Sequence, residues 1–207
     1  MTDSEQKDGV TRAAQASPLI LAIGSSTGGP IALVQLLKSL AGRIEVPIVI
    51  TQHIAQGFSA GLAETLTQAY GAPVHEAKND LVLHPGQAYL APAGVHLTLI
   101  NRAAGAFCRL DDGPAENYCK PSVNPMLRSV AKHFGARSLA VILTGMGRDG
   151  LEGCVEIKAK GGRVIAQDRA SSAVWGMPRA VTEAGLCDAV LPLGIIGESI
   201  VKIFGGR

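Results

Sequence analysis

The chain has few aromatic residues, 4% of 207, and its N-terminal segment 1–17 is polar and lacks the apolar core of a signal peptide. It has no apolar run long enough to cross a bilayer. Charge of either sign is also low: 19 basic and 17 acidic residues leave a formal net charge of +2. No basic run is interleaved with aromatic residues, as nucleic-acid binding would favour. These absences predict a soluble cytoplasmic protein with no membrane insertion and no nucleic-acid partner.

Cysteine is scarce too. The four positions, Cys108, Cys119, Cys154 and Cys187, contain no C-x-x-C pair. Such scattered cysteines are typical of buried thiols in a reducing compartment rather than of disulfides or a zinc site. We therefore expect no metal site, and nothing in the sequence calls for a cofactor.

Apolar residues, in contrast, make up 47% of the chain and recur in two patterns. Short, continuously apolar runs predict buried strands at 19–23, 47–51, 138–143, 163–167 and 187–192. Apolar positions spaced by three and four predict amphipathic helices between them. The alternation predicts an α/β fold, a doubly wound, mostly parallel sheet with helices on both faces. Segment 83–110 predicts short strands forming an attached antiparallel hairpin.

Polar groups follow three of the predicted strands. Ser26 stands at the centre of a G-x-S-x-G pattern in "GSSTGG", between a strand and a helix that begins near Pro30. His53 follows the second strand, and Asp149 lies in "TGMGRDG" after the strand at 138–143. Because the carboxyl ends of parallel strands share one edge of the sheet, we expect the three side chains to meet there. A serine nucleophile needs a base, and the base needs a carboxylate to orient it.

Other interpretations of the same residues remain open. Loop 24–29 could bind phosphate or a nucleotide on its backbone amides, although it lacks the lysine of a P-loop and the glycine spacing of a dinucleotide fingerprint. Asp149 could cap the helix that follows it, a common task for aspartate.

A set of motifs in order and spacing points further: "IGSSTGGP", "TQHIAQGFS", "LAPAGVHL", "PSVNPM", "ILTGMGRDG" and "AQDRASSAVWGMP". Together they resemble the catalytic domain of the CheB family of chemotaxis receptor methylesterases over roughly residues 18–205. The resemblance implies hydrolysis of glutamyl methyl esters on the cytoplasmic helices of chemotaxis receptors, or on another methylated protein, and deamidation of glutamines. A catalytically inactive, receptor-binding scaffold is the alternative within the same resemblance.

The resemblance also implies roles for individual residues. Ser26 would be the nucleophile, His53 the base and Asp149 the orienting carboxylate. Thr27 and the backbone at Met146 match family positions beside the reacting carbonyl.

Two further residues are candidates to border the cleft: His96 in "APAGVHL" as a lining residue, and Trp175 in "VWGMP" as a wall. Two positions depart from the family pattern. Asn124 stands where the family usually has aspartate, and Arg169 where it has an acidic residue. Neither falls on the three candidate catalytic residues, so we expect them to affect substrate choice more than the chemistry.

Most family members begin with a phosphorylatable receiver domain. We expect residues 18–207 to form the methylesterase catalytic domain and 1–17 to be a disordered tail or linker remnant, with no receiver domain in these 207 residues. The chain would then be a standalone member or a fragment, with hydrolysis unaffected by phosphodonors.

Overall fold

The computed structural model describes residues 19–205, so the predicted tail at 1–17 lies outside the described residues. The strands are β1 (Ile20–Ser25), β2 (Ile48–Gln52), β3 (Val74–Glu76), β4 (Ala88–Leu90), β5 (His96–Arg102), β6 (Gly105–Asp111), β7 (Ser138–Ile142), β8 (Arg163–Gln167) and β9 (Ala189–Leu191). The helices are α1 (Gly29–Leu40), α2 (Ser59–Tyr70), α3 (Val123–Phe134), α4 (Leu151–Ala159), α5 (Met177–Glu183) and α6 (Leu193–Phe204). Between residues 19 and 205, none of these helices has the length and apolar character needed to span a membrane.

Seven strands form one parallel sheet in the order β3-β4-β2-β1-β7-β8-β9. Within the described residues the first strand, β1, lies at the centre; the chain then builds outward through β2 and later adds β7 on the other side of β1. This confirms the predicted doubly wound α/β fold. The direction of winding changes between β1 and β7, and in such sheets a crevice opens outside the carboxyl ends of the strands at that point.

Helices cover both faces of the sheet, and the alternation of side chains along β1 shows how. Leu21 and Ile23 pack in a core cluster with α1, α2 and α6. Ile20 and Ala22 point to the opposite face and pack with α3, α4 and α5. Because neither face meets water, the strand is apolar at every core position, which is the pattern that predicted it.

The antiparallel hairpin exists as β5 and β6, paired from His96 with Asp111 to Arg102 with Gly105. It forms a separate two-stranded sheet that packs on α3, where Leu99 N–H donates to Ser129 Oγ at 3.0 Å. Segment 83–110 also contains β4, which joins the main sheet in parallel. That strand and β3 have three residues each, too few for a periodic signal.

Candidate active site

The loop between β1 and α1 separates two adjacent serines. Ser25 ends the strand, is fully buried, and donates its hydroxyl to Gln52 Oε1 at 2.6 Å. Ser26 is only half-buried, and its N–H donates to Thr144 O at 3.0 Å, which ties the loop to the end of β7. Gly28 then adopts φ 79°, a left-handed conformation that suits glycine, and α1 begins. The turn therefore leaves Ser26, and not Ser25, at the edge of the sheet.

Gln52, the last residue of β2, holds this loop against His53. Its side chain is 3% exposed, and Nε2 donates to Ser26 O at 2.9 Å and to His53 O at 2.8 Å. In return His53 N–H donates to Ser25 O at 3.0 Å. The sequence motifs do not identify Gln52 as a site residue. Its position, at the end of an apolar strand and directly before the candidate histidine, is the feature that could have indicated it.

His53 and Asp149 are in direct contact, with Nε2 and Oδ2 2.6 Å apart and side chains only 13% and 2% exposed. The carboxylate also accepts hydrogen bonds from Ser122 Oγ at 2.7 Å and from Val123 N–H at 2.7 Å. Ser122 is the N-cap of α3. The carboxylate thus lies at the positive end of a helix, where an anion is favoured.

The helix-cap interpretation of Asp149 applies to two helices. Its carboxylate lies on the N-terminus of α3, far from it in sequence, and its Oδ1 also accepts from Gly150 N–H, the N-cap of α4, at 2.9 Å. Asn124 shares the first amides of α4. Asn124 Oδ1 accepts from Gly150 N–H at 3.0 Å and Gly153 N–H at 2.9 Å, and its amide donates to Glu152 at 2.6 Å. Asn124 thus anchors α4 and does not touch His53.

The contacts set the charge of both groups. Burial alone would raise the pKa of Asp149, but hydrogen bonds from His53, Val123 N–H and Ser122 outweigh it and hold that pKa below its ordinary value. Burial alone would lower the pKa of His53, but its bonds to Asp149 and Cys119 and the negative charge of Asp149 raise it to about 9. The site therefore pairs an ionised carboxylate with a strengthened imidazole base.

The other ring nitrogen, Nδ1, lies 3.3 Å from the Sγ of Cys119. Because Asp149 engages Nε2, Nδ1 is the nitrogen left to accept a proton. The hydroxyl of Ser26 makes no hydrogen bond within residues 19–205. The structure thus brings His53 and Asp149 together and, through Gln52, ties the backbone of Ser26 to His53, while the thiol of Cys119 lies at Nδ1.

Two backbone amides near Ser26 are available to a ligand. In the part of the chain that the structure describes, the N–H groups of Thr27 and Met146 have no acceptor, and both residues are exposed. Gly145 brings the second amide close, because a Cβ there would lie 2.7 Å from the Cβ of Ser26. Backbone N–H groups that have no acceptor and lie near a serine are the kind of donor that can stabilise an oxyanion.

His96 does not reach the opening of the cleft. It is 2% exposed, its Nε2 lies 2.9 Å from Pro114 O, and its Nδ1 accepts from Ser122 N–H at 3.0 Å. It therefore binds Ser122, the N-cap residue of α3, and Ser122 in turn binds Asp149.

Trp175 is half-buried behind the loop that follows β7. Its Nε1 donates to Gln167 O at 3.2 Å, and its backbone forms a bridge with Gly145. The guanidinium of Arg169 lies over the indole ring at 5.9 Å from its centroid. Trp175 thus packs against the segments that follow β7 and β8, with Arg169 over its ring, and neither residue lines the apolar cleft beside His53.

An open, largely apolar cleft of about 470 Å³ borders His53 between the first turns of α1 and α2. Pro30, Ile54 and Phe58 line it, and Phe58 is 66% exposed. Its apolar lining suits the aliphatic part of a side chain.

The fold and this geometry define a class: doubly wound α/β proteins that place a serine, a histidine and an aspartate at the switch point of a parallel sheet. The family model described as CheB methylesterase matches residues 21–200. The chain belongs to the CheB methylesterase family, which confirms the resemblance carried by the motifs.

Individual relatives agree. A protein-glutamate methylesterase/protein-glutamine glutaminase of Azospirillum brasilense is 50% identical over 189 residues, covering 91% of this chain and 48% of the relative. The protein of the same name from Nitrobacter hamburgensis is 49% identical over 191 residues, covering 92% and 50%. The crystal structure of the Thermotoga maritima CheB methylesterase catalytic domain matches with a TM-score of 0.88 and 38% identity, covering 91% of this chain and all of that one. The chain thus spans about half the length of the curated relatives, and the whole of the solved catalytic domain.

Proposed function

We propose that this chain hydrolyses glutamyl methyl esters on chemotaxis receptor proteins, and deamidates receptor glutamines, with Ser26 as nucleophile, His53 as base and Asp149 as the orienting carboxylate. Family membership and the names of the relatives support the reaction. The observation that carries the residue assignment is the 2.6 Å contact between His53 Nε2 and Asp149 Oδ2, at a strand end tied by Gln52 to the loop of Ser26.

The first step follows from which ring nitrogen is free. Asp149 holds the proton on Nε2 of His53, so Nδ1 takes the proton of Ser26 while Oγ attacks the ester carbonyl. For this the serine hydroxyl turns toward Nδ1, and the thiol of Cys119 leaves that position. Asp149 stays ionised and stabilises the imidazolium that forms.

The negative charge that develops on the carbonyl oxygen faces Thr27 N–H, Met146 N–H and the positive end of α1. Collapse of the tetrahedral intermediate breaks the bond to methoxide, which leaves as methanol with the proton from His53. An amide substrate releases ammonia by the same route. Water, deprotonated by His53, then hydrolyses the acyl-enzyme and restores Ser26.

The partner that we propose is a cytoplasmic helix of a methyl-accepting receptor or of another methylated protein, which places the chain in the cytoplasm. Exposed apolar side chains on segments around the site support a protein substrate. Ile31, Phe58, Tyr118 and Met146 are 77%, 66%, 104% and 66% exposed. An apolar rim of this kind is typical of a surface that contacts another protein.

The two serines provide a matched test. Ser26→Ala should lower methanol release from a radiolabelled, methylated receptor by about a thousandfold or more, because the nucleophile is lost. Ser25→Ala should retain most of the activity, because the buried Ser25 hydroxyl only supports Gln52. Equal losses in the two variants would refute the assignment of the nucleophile. Receptor binding by the wild type without methanol release would instead support the inactive scaffold.

A further inference from the structure

Hydrolysis by Ser26 does not account for the thiol at the catalytic base. We propose that Cys119 is a second nucleophile served by His53 and Asp149, and a modification site for soft carbon electrophiles. Cys119 Sγ lies 3.3 Å from His53 Nδ1, and His53 Nε2 lies 2.6 Å from Asp149 Oδ2. A nucleophile within reach of a base that a third group orients is the arrangement that activates thiols in enzymes.

A tight turn aims the thiol at the ring. Glu116 and Cys119 exchange backbone hydrogen bonds of 3.2 and 2.9 Å, and the two residues between them, Asn117 and Tyr118, have φ of 50° and 62°. This left-handed conformation is unfavourable for a tyrosine, whose side chain here is fully exposed and gains nothing from packing. Strain of this kind persists only where surrounding contacts impose it.

Those contacts attach the turn to the site. Glu116 forms a two-bond ion pair with Arg128 of α3. Asn117 Nδ2 lies 3.5 Å from Asp149 Oδ1. The turn, whose last residue is Cys119, thus packs on the helix whose N-terminus holds the Asp149 carboxylate.

The other thiols have no such partner. Cys108 and Cys154 are fully buried, and burial raises the pKa of both. Cys187 is half-buried and lies 3.8 Å from the hydroxyl of Thr182, and burial raises its pKa as well. Within residues 19–205 only Cys119 lies beside an imidazole and a carboxylate. Cys108, Cys154 and Cys187 therefore serve as reference thiols against which the reactivity of Cys119 can be compared.

The reaction with iodoacetamide illustrates the chemistry. The proton of the Cys119 thiol passes to His53 Nδ1, and the thiolate attacks the CH₂ carbon. The S–C bond forms, the C–I bond breaks, iodide leaves, and the imidazolium returns its proton to water. The thioether then occupies the space where Ser26 would deliver its proton. We therefore expect labelling to stop ester hydrolysis, a consequence that rests on the proposed function.

The test measures the labelling rate of each cysteine by peptide mass spectrometry in the full chain with iodoacetamide at neutral pH. We expect Cys119 to react about tenfold or more faster than Cys187, since a neighbouring histidine favours the thiolate both as a neutral base and as an imidazolium. His53→Gln should bring the two rates close together, and Asp149→Asn should lower the rate at Cys119 as well.

Cys108 and Cys154 report on folding, because they react only if a variant opens. A Cys119 rate equal to that of Cys187 in the wild type would overturn the proposal. So would an unchanged Cys119 rate in folded His53→Gln or, if that variant opens, in folded Asp149→Asn. Mass spectrometry detects the label whether or not the chain hydrolyses esters. Fast labelling of Cys119 in a chain that releases no methanol would therefore contradict the proposed function and leave the proposal for Cys119 standing. Methanol release that persists after complete labelling of Cys119 would refute the blocking step.

Discussion

His53 has a different partner on each ring nitrogen, and its chemistry follows from that division. Asp149 on Nε2 fixes the tautomer and favours the charged form of the ring. Cys119 on Nδ1 occupies the proton-accepting position. A single histidine is thereby placed between one carboxylate and one thiol.

Asp149→Asn should leave a folded protein but lower kcat by on the order of 10³ to 10⁴, because the amide favours the wrong imidazole tautomer. The amide also places an N–H group among the donors of Ser122 and Val123, which should cost about 1–3 kcal/mol of stability. Methanol release and a circular dichroism melt check both effects. Near-normal turnover would limit Asp149 to a structural role at α3.

The pH profile should reflect the raised pKa of His53. An unperturbed histidine would give a step near about 6.5. Here the contacts of the ring raise its pKa to about 9. Hydrolysis needs the neutral ring, so kcat/KM should increase with pH and reach half of its maximum clearly above about 6.5. Rates of methanol release between about pH 6 and 10 test this; a midpoint at or below the ordinary histidine value would contradict it.

Among the elements, α3 is the one that connects the site to the core. Its N-terminus holds Asp149, and two glycines allow it to approach its neighbours. A Cβ at Gly24 in β1 would lie 2.5 Å from Val123, and a Cβ at Gly153 in α4 would lie 2.5 Å from Leu127. The position of the Asp149 carboxylate thus depends on close packing of α3 against a strand and a helix.

Gly153→Ala should destabilise the protein by about 1–3 kcal/mol, because the added methyl group forces α3 and α4 apart. Gly61→Ala in α2 is the matched control, since a Cβ at Gly61 has nothing within 4 Å. The control should gain about 0.5–1 kcal/mol, because alanine loses less backbone entropy than glycine in a helix. Urea unfolding measures both. Similar changes in the free energy of unfolding of the two variants would show that the close packing of α3 on α4 at Gly153 does not contribute to stability.

The architecture of the molecule supplies the common edge on which the site is built. β1 is central, and the loops after β1, β2 and β7 contribute Ser26, His53 and Asp149 at adjacent strand ends. The contacts of His53 and Asp149 exist only when these loops meet in the folded chain. The free energy of unfolding therefore changes with pH as these groups gain or lose protons.

That coupling has a definite sign. The folded-state pKa of His53, about 9, lies above the unfolded value of about 6.5. The stabilisation that protonated His53 provides is therefore fully present below about pH 6.5 and is lost as the pH rises toward about 9. Asp149 remains ionised over this range because its pKa is lowered. The melting temperature of the wild type minus that of His53→Gln should decrease over this interval; a constant or growing difference would contradict the assignment.

Local patterns in the sequence predict the layered α/β architecture and the residues that follow the strand ends. Strands covered on both faces are continuously apolar, and helices covered on one face repeat their apolar positions every three or four residues. These are local patterns, readable without the fold. The G-x-S-x-G turn likewise distinguished Ser26 from Ser25, because a strand–turn–helix junction exposes its central residue.

The tertiary structure alone decided which side chains support the site. Gln52 bridges two loops, α3 presents its N-terminus to Asp149, and His96 turns inward to Ser122. Cys119 and His53 are 66 positions apart in the chain. No local periodicity encodes such pairs, because each contact depends on the parallel sheet bringing distant loops to the same edge, and on a strained turn that points one thiol at one ring nitrogen.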